Sequence, residues 1–340
     1  MDARKGVLCA GTWCVDLNKV IAAWPAEDTS NEVLSIDRQG GGSGHNMAMD
    51  LKRLDPNLPV DAMGLVGHDD DGRFLLGQCD AFGVERSHLQ ARAEAPTLCV
   101  DAFCVAGSGR RTHFYYQGVA ALLAPSDFDF ARSQARILHL GLPGAHRRMD
   151  EPIEGQGNGW AAVLKRARAQ GLQTSIELMS IAPQRLFDLA RPILPHLDYL
   201  IVNDFEIGAV TGIETRTGDV ANVNAVRRAI TAAFALGPMR VIAVHFPQGA
   251  ITGVRSGALQ HSGSLDVPAE AIASVNGAGD AFAAGFLYGV HEGWEIEACA
   301  RLAHSCAAAS MRQLSTVAGV ASVGECLALA ERWGVRPAPG

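Results

Sequence analysis

The segment GAGD at residues 277–280 places a single acid directly after three small residues, at the start of a helix-like stretch rich in Ala and Gly. Small residues at a helix start let backbone N–H groups face an incoming anion, and the helix dipole adds partial positive charge. A carboxylate one residue later is suited to accept the proton of an attacking hydroxyl. The segment therefore predicts a phosphoryl-transfer unit without a lysine. Glycine in a turn and aspartate in a first helical turn also occur for conformational and dipole reasons alone.

Two further features could bind a polar ligand. The stretch GGGSGHN at 40–46 precedes the helix-like MAMDLKRL, and its glycines let the backbone and Asn46 approach a ligand closely. An amide side chain can both donate to and accept from hydroxyls. Asp16 follows the first apolar run, where its carboxylate could receive two hydroxyl hydrogen bonds. The alternatives are a flexible turn for the glycines and a solvated surface acid for Asp16.

The segment NDFE at 203–206 follows the apolar run 199–202. Asn203 and Glu206 are three residues apart on an incipient helix, so they share one face. Both are hard oxygen ligands suited to organising Mg²⁺ through its waters. The alternative is an N-cap asparagine followed by the acid of a capping box.

Three other motifs are excluded. None of the lysines is followed by Ser or Thr, as a P-loop would require; they are Lys5, Lys19, Lys52 and Lys165. In GGGSGHNM, Met47 stands where the last glycine of a dinucleotide fingerprint should fall. The stretch HEGWE at 291–295 ends in the wrong residue for a zinc-protease motif.

The composition is that of a folded protein of enzyme size. Of the 340 residues 48% are hydrophobic and 19% charged, which argues against a disordered chain. The net charge of -7 argues against nucleic acid or an anionic membrane as the main partner, because both require a basic surface. The N-terminus has no signal-peptide pattern and no segment approaches the length of a membrane span, so we expect a cytoplasmic protein. The eight cysteines include no C-x-x-C pair, and we expect reduced core residues.

The pattern of apolar residues predicts the strands and helices that would position these candidate site residues. Five short apolar runs predict buried parallel strands: Gly6–Gly11, Ile137–Leu140, Thr174–Glu177, Tyr199–Asn203 and Val241–Val244. Helix-like stretches at 160–170 and 221–236 lie between them, and 277–333 is nearly all helical in pattern. Such alternation predicts βαβ units and a parallel sheet covered on both faces.

Two regions break this alternation. Residues 13–40 contain no convincing helix, and residues 97–118 resemble two strands around the turn Gly107-Ser108-Gly109. A β-hairpin inserted into an α/β chain predicts a small sheet off the main body, such as a lid.

These pieces, in this order, resemble the ribokinase-like, PfkB-type carbohydrate kinase family, and the resemblance covers nearly the whole chain. It rests on the early strand with Asp16, the glycine segment ending at Asn46, GLVGHDDDGRFLLGQCDAFGVE at 64–85, the hairpin with Arg110-Arg111-Thr112, NDFE, and NGAGDAFAAGF at 276–286. Each motif alone is weakly specific, whereas four of them in the family's order and approximate spacing are specific.

The resemblance implies an α/β fold with a Rossmann-like, three-layer α/β/α body, a mostly parallel central sheet and a small β-sheet lid. The body would comprise residues 1–12, 41–96 and 119–340, and the lid residues 13–40 and 97–118. Because the lid of such proteins often contributes to a dimer contact, we expect a homodimer formed through it.

The implied reaction is transfer of the ATP γ-phosphoryl group to a hydroxyl, such as a hydroxymethyl, of a sugar or sugar derivative. Asp280 would be the general base, and the anion hole would be the backbone of Gly277, Ala278 and Gly279. Substrate hydroxyls would bind at Asp16, Gly42 and Asn46. Mg²⁺ would be organised by Asn203 and Glu206, and the nucleotide-binding residues would be these two together with His245, Gly249 and His304.

Two departures from the family pattern bear on ions and on the nucleotide. Ser274-Val275 stand here where the family has Asp-Thr before the glycine turn. Because the carboxylate is missing, the sequence does not decide whether the K⁺ site of many family members is present. The Thr-Leu-Gly of the nucleotide loop corresponds to His245-Phe246-Pro247, although Gly249-Ala250 remain. Because proline removes an N–H and stiffens the loop, the sequence also does not decide how this loop contacts the adenine and phosphates of the nucleotide.

Two alternatives to a sugar kinase remain. A nucleoside kinase of the same family would need aromatic residues to stack a base, and these could also simply form core; the candidates are Trp13, Phe103, Phe114, Tyr115 and Tyr116. A catalytically weak sugar-binding regulator is suggested by the two departures, and the retained Asp280, Asn203 and Glu206 argue against it. The sequence does not identify the acceptor, and Arg110 and Arg111 could bind a phosphorylated or acidic one.

Overall fold

The computed structural model describes residues 4–106, 111–313 and 315–340, with the backbone but not the side chain of Arg111. The predicted turn at 107–109 and Arg110 therefore lie outside the described residues. The strands are β1 (Val7–Gly11), β2 (Cys14–Ile21), β3 (Val33–Gly41), β4 (Val60–Gly67), β5 (Glu85–Arg92), β6 (Leu98–Val105), β7 (Arg111–Tyr116), β8 (Ile137–Gly141), β9 (Pro152–Ile153), β10 (Gly157–Asn158), β11 (Gln173–Ile176), β12 (Tyr199–Asn203), β13 (Arg216–Thr217), β14 (Val220–Ala221), β15 (Val241–Phe246), β16 (Gly249–Val254) and β17 (Leu259–Gly263). The helices are α1 (Ser43–Leu54), α2 (Asp70–Phe82), α3 (Arg147–Asp150), α4 (Gly159–Ala169), α5 (Pro183–Ala190), α6 (Asp204–Thr211), α7 (Val223–Leu236), α8 (Ala278–Glu292), α9 (Ile296–Ser310) and α10 (Val323–Trp333).

The central sheet has nine strands in the order β17-β16-β15-β12-β11-β8-β1-β4-β5. Every pairing from β5 to β15 is parallel, whereas β16 and β17 continue the sheet in antiparallel fashion. All five predicted strands lie in this sheet, so the mostly parallel α/β fold is confirmed. The antiparallel edge was not predicted.

Helices cover both faces of the sheet, as β1 illustrates. Its residues are fully buried, with Val7 and Cys9 facing one apolar core and Leu8 and Ala10 facing another. This alternation follows from the two-residue period of a strand. The first core includes residues of α1, α2, α8, α9 and α10, and the second includes residues of α4, α5, α6 and α7. The result is the expected three-layer body.

A separate sheet of four strands, in the order β3-β2-β6-β7, is built from the two regions that break the helix–strand alternation. The β2–β3 and β6–β7 pairs are antiparallel and the β2–β6 pair is parallel. We call this sheet the lid sheet.

The cysteine prediction is confirmed in part. All eight cysteines are free thiols, and six of them are buried in the core. Cys99 and Cys104 are only half-buried, because both lie on β6 of the lid sheet. None of the helices in the described ranges is long and apolar enough to cross a membrane.

Candidate active site

The turn before α8 requires glycine at position 277. Gly277 has φ +78°, a backbone conformation that side-chain-bearing residues rarely adopt. A Cβ there would also lie 2.5 Å from the carbonyl oxygen of Thr316, in the segment between α9 and α10. Helical hydrogen bonding begins where Ala281 N donates to Gly277 O at 2.9 Å. Of the amides before it, Ala278 N makes a long hydrogen bond to Val275 O at 3.4 Å. The amides of Gly279 and Asp280 fall in the first turn, which has no intrahelical acceptors, and there an anion would be held.

Asp280 and Asn46, which belong to two motifs far apart in the sequence, lie side by side. Asn46 Nδ2 donates to Asp280 Oδ2 at 2.7 Å and so links α1 to α8. The amide oxygen of Asn46 is held in turn, because it accepts from Thr316 Oγ1 at 3.3 Å. Gly42, with φ +89°, starts α1 against the Thr12 carbonyl, where a Cβ would be 2.7 Å from the oxygen. Asn46 is thus placed by a turn that only glycine accommodates.

Asp16 lies near Asp280. Its carboxylate packs over Gly41, where an added Cβ would lie 2.3 Å from Asp16 Oδ2. Cys14 Sγ is 3.4 Å from Asp16 Oδ1. Burial, then the charge of Asp16 and more weakly that of Asp280, raise the pKa of the Cys14 thiol. Since both acids act on one thiol, they lie near each other where β2 of the lid sheet meets the body.

Glu177 is a site residue that motif reasoning did not find. It follows β11 directly and shares a hydrogen bond with Asp280. Burial, reinforced by the neighbouring charge of Glu206, raises the pKa of Glu177 to about 8. Burial, together with the charge of Glu177, likewise raises the pKa of Asp280 to about 8. Two acids in contact do not readily carry two charges, so at neutral pH the pair holds a proton.

Asn203 and Glu206 form the capping box that was the alternative interpretation. Glu206 N donates to Asn203 Oδ1 at 2.8 Å, and Asn203 N donates to Glu206 Oε2 at 3.1 Å. The other carboxylate oxygen, Oε1, accepts from Ser180 Oγ at 2.9 Å. Burial raises the pKa of Glu206 to about 7. Each oxygen keeps a lone pair, so this fixed carboxylate fits a role in holding Mg²⁺ through water.

No group of three or more His, Cys, Asp or Glu side chains suited to hold a metal occurs within residues 4–106, 111–313 and 315–340. A dedicated protein cage for a metal is therefore not formed by these residues. Mg²⁺ that arrives with nucleotide phosphates needs only one or two protein carboxylates.

A cavity of about 360 Å³ lies beside the first turn of α8 and is lined by several of the predicted nucleotide-binding residues. Asn203, His245, Gly279 and His304 all line it. Its floor is Phe282, whose ring centroid is 4.9 Å from that of His245 and 5.1 Å from that of His304. Burial lowers the pKa of both histidines to about 4, so both rings are neutral.

The end of β15 and the turn after it line this cavity through His245, Phe246 and Pro247. Pro247 lines the cavity in the turn between β15 and β16, and its carbonyl oxygen accepts from Ser264 Oγ at 2.9 Å. Gly249 opens β16 opposite Phe246, where a Cβ would lie 2.1 Å from the Ser262 carbonyl oxygen. Gly249 thus allows close strand packing beneath the loop and is not among the described residues that line the cavity.

The positions that depart from the family pattern have structural roles in the same turn. Ser274 is buried, and its Oγ accepts from Asn276 N at 3.0 Å, which tightens the chain before Gly277. Val275 is 70% exposed and also lines the cavity.

The aromatic residues considered for base stacking separate into three groups. Trp13 is buried, with its Nε1 donating to Met63 O at 3.3 Å, and so belongs to the core. Phe103 and Phe114 contact each other on one face of the lid sheet, and the cross-strand register places Tyr116 on that face too. The same register places Tyr115 on the opposite face, which it shares with Asp16.

Comparison with known proteins connects this geometry to a family. Residues 4–322 match the family model described as pfkB family carbohydrate kinase. A 5-dehydro-2-deoxygluconokinase of Shouchella clausii is 24% identical over 333 residues, covering 96% of this chain and 95% of the relative. An ATP-dependent ribose-1-phosphate kinase of Halopiger xanaduensis is 28% identical over 306 residues, covering 89% of this chain and 90% of the relative.

Solved structures share the fold. Arabidopsis thaliana ribokinase, in a complex with ribose and ATP, superposes with a TM-score of 0.77 at 19% identity. The match covers 96% of this chain and 98% of that one. At this identity the similarity establishes the fold alone.

Proposed function

Since the chain belongs to the pfkB family of carbohydrate kinases, we propose that it transfers the γ-phosphoryl group of ATP to a hydroxyl of a sugar or sugar derivative, with Asp280 as the general base. The observation that supports this most is the place of Asp280. It accepts a hydrogen bond from Asn46, a proposed acceptor ligand, and it directly follows Gly279, which lines the cavity proposed for the nucleotide.

The reaction would proceed by in-line attack. The acceptor oxygen forms a bond to the γ-phosphorus while the bond from that phosphorus to the β–γ bridging oxygen breaks, and ADP leaves. The hydroxyl proton passes to the Asp280 carboxylate. The amides of the first turn of α8 face the charge on the phosphoryl oxygens, where fixed dipoles stabilise a transition state without reorganising.

Mg²⁺ would supply charge neutralisation to the nucleotide phosphates when it is bound. We propose that the Glu206 carboxylate, fixed by Asn203 N and Ser180 Oγ, orients the water ligands of that ion. The nucleotide would lie in the cavity beside Phe282, with the neutral rings of His245 and His304 at its wall.

Replacing Glu206 with glutamine should raise the Mg²⁺ concentration for half-maximal activity about tenfold, because the amide keeps the shape and loses the charge. The measurement is a Mg²⁺ titration of kcat at saturating ATP and acceptor. As a control, Glu214→Gln changes an exposed acid beyond the end of α6 and should leave the titration unchanged. An unchanged titration in Glu206→Gln would remove this residue from the metal site.

The decisive experiment for the reaction is an ADP-release assay over sugars, sugar acids, sugar phosphates and nucleosides, each with and without K⁺. We expect turnover of at least one polyhydroxylated acceptor. Comparison of the K⁺ arms tests whether the turn with Ser274-Val275 still supports activation by a monovalent cation. Tight sugar binding without turnover on any acceptor would indicate a sugar-binding regulator instead.

A nucleoside kinase is the second candidate, and one observation favours it. Tyr115 lies on the same face of the lid sheet as Asp16, where its ring could cover a base bound near Asp16. The nucleoside arm of the assay distinguishes this candidate, since it predicts a higher kcat/KM for nucleosides than for free sugars.

We also propose that the lid sheet forms a homodimer contact. Its face with Phe103 is rich in exposed apolar side chains, with Ile36 61%, Phe114 56% and Tyr116 60% exposed. Trp24 extends this face, because its ring centroid lies 6.2 Å from that of Phe114. The Lys19–Asp101 ion pair lies on the same face, between these apolar side chains. Several large apolar side chains exposed on one face are typical of a protein contact.

A double variant, Ile36→Asp with Phe114→Glu, is expected to convert a dimer of about twice the 35.9 kDa chain mass into a monomer. Light scattering after size exclusion measures the mass. Val220→Asp is the matched control, because Val220 is 58% exposed on β14, away from the lid sheet. A monomeric unmodified chain at micromolar concentration would contradict the proposal.

A further inference from the structure

Glu177 is an acid beside Asp280 to which the proposed reaction assigns no task. Its backbone N–H donates to Leu140 O at 2.9 Å, which fixes it at the end of β11. Its side chain shares a hydrogen bond with Asp280. On its other side, Oε2 lies 3.4 Å from Nε2 of the buried His139 ring. Burial lowers the pKa of His139 to about 4, so this ring adds no compensating positive charge.

Close packing beside Glu177 requires glycine at position 141. A Cβ on Gly141 would lie 2.5 Å from Ser43 Oγ and 3.3 Å from Glu177 Cβ, so three residues from three elements meet at one point. We call this point the Gly141 notch. The Ser43 side chain is only 1% exposed, and its hydroxyl has no hydrogen-bond partner among the described residues. A buried hydroxyl without a partner costs free energy that a bound polar group would recover.

The Gly141 notch lies on the acceptor side of the site. Ser43 is the first residue of α1, the helix that carries Asn46. The carbonyl of Gly141 accepts from Thr12 N at 2.8 Å, which ties the notch to the chain that leads into the lid sheet. Glu206, by contrast, is the acid proposed for the phosphate side of the site. Both of its carboxylate oxygens already accept hydrogen bonds from the protein.

We propose that Glu177 and the Ser43 hydroxyl bind the acceptor in the Gly141 notch, through a hydroxyl or amino group next to the hydroxyl that Asp280 deprotonates. The inference rests on the proposed kinase function and specifies its acceptor. Two adjacent acids favour a group that donates hydrogen bonds and carries no negative charge. The acceptor class is therefore a neutral or amino-substituted polyol. A phosphate or carboxylate there would add an anion where burial already opposes charge.

The first test is Glu177→Gln, which keeps the shape of the side chain and removes its charge. We expect the KM for the acceptor to rise at least tenfold and the KM for ATP to stay within twofold. We also expect the acid limb of the pH profile of kcat/KM to move to lower pH, because the charge of Glu177 helps to raise the pKa of Asp280. A merely structural role would not move this limb. The matched control is Asp188→Asn, an exposed acid on α5.

The second test uses acceptors of different charge and shape with the unmodified chain. The probes are ribose, 2-deoxyribose, fructose, glucosamine, ribose 1-phosphate and gluconate. We expect the best neutral or amino sugar to exceed both anionic acceptors at least 100-fold in kcat/KM. Gly141→Ala would displace the Ser43 hydroxyl and crowd Glu177, so it should reduce kcat/KM for that acceptor at least tenfold at unchanged KM for ATP.

Three results would overturn the inference. One is a higher Mg²⁺ requirement or KM for ATP in Glu177→Gln with an unchanged KM for the acceptor, which would place Glu177 on the metal side. A second is a preference of the unmodified chain for ribose 1-phosphate or gluconate. If no acceptor is turned over, the kinase proposal itself fails, and calorimetry of sugar binding then replaces kinetics. In that case the third contradicting result would be that the unmodified chain and Glu177→Gln bind the sugar with equal affinity.

Discussion

Asp280→Asn is expected to lower kcat about 10³-fold while the Kd for ATP changes less than threefold. The asparagine keeps the size of the side chain but cannot take up the acceptor proton, and general-base catalysis typically contributes 10²–10⁴-fold. Positioning of the substrates and the amides of the first helical turn would remain, so a measurable residual activity should persist. ADP release measures kcat, and calorimetry measures ATP binding.

A control for this variant lies at the other end of the same helix. Glu292→Gln removes a half-exposed acid at the last position of α8 and should leave kcat within twofold. Turnover by Asp280→Asn at the native rate would show that another group accepts the proton. Glu177 is then the first residue to test, because it shares a hydrogen bond with Asp280.

The same assignment fixes the sign of the pH dependence. A base must be ionised to act, and burial, together with the charge of Glu177, raises the pKa of Asp280 to about 8. The value of kcat/KM for the acceptor should therefore rise about tenfold per pH unit below that pKa and level off above it. This acid limb should be absent in Asp280→Asn.

Much of the fold could be predicted from the sequence because its signals are local. Apolar runs that end at glycine or a polar residue predicted the buried strands, and strands alternating with helices imply a parallel sheet. The edge formed by β16 and β17 could not be found in this way. The run Gly249–Val254 consists of small and β-branched residues next to a nucleotide-loop motif, and its pairing is visible only in three dimensions.

The candidate site was predictable where residue type and spacing form a motif. Asp280 and Asn46 stand in such motifs, and the structure brings them to 2.7 Å. Glu177 is a single acid at the end of an apolar run, so nothing nearby in sequence distinguishes it from a strand-ending polar residue. One signal was available. The carboxyl ends of parallel strands meet at one edge of the sheet, and Glu177 follows β11 as the predicted ligand Asn203 ends β12.

A buried acid in α1 shows a further limit. Asp50 lies one turn after Asn46 and is fully buried, with neither carboxylate oxygen bonded to any described residue. Burial raises its pKa well above the ordinary value, so we infer that it is neutral. In the sequence it resembles any polar position of an amphipathic helix, because burial on this face depends on how α1 packs against α8.

Gly277→Ala is expected to lower kcat 10²–10³-fold, the loss typical of removing a donor to a developing oxyanion. Gly277 has φ +78°, and the new Cβ would lie 2.5 Å from the Thr316 carbonyl oxygen, so the helix start must move. The amides that face the phosphoryl group and Asp280 would move with it. Kinetics measure kcat and thermal unfolding measures stability.

Gly293→Ala separates backbone strain from displacement of the site. Gly293 ends the same helix with φ +76°, and no atom lies within 4 Å of the position of its Cβ. Both variants therefore incur a left-handed backbone penalty of about 1–2 kcal/mol, and only Gly277→Ala disturbs the turn beside Asp280. We expect Gly293→Ala to lower Tm without a change in kcat. Equal kcat in the two variants would mean that the anion is held elsewhere, because strain alone would then account for every effect at position 277.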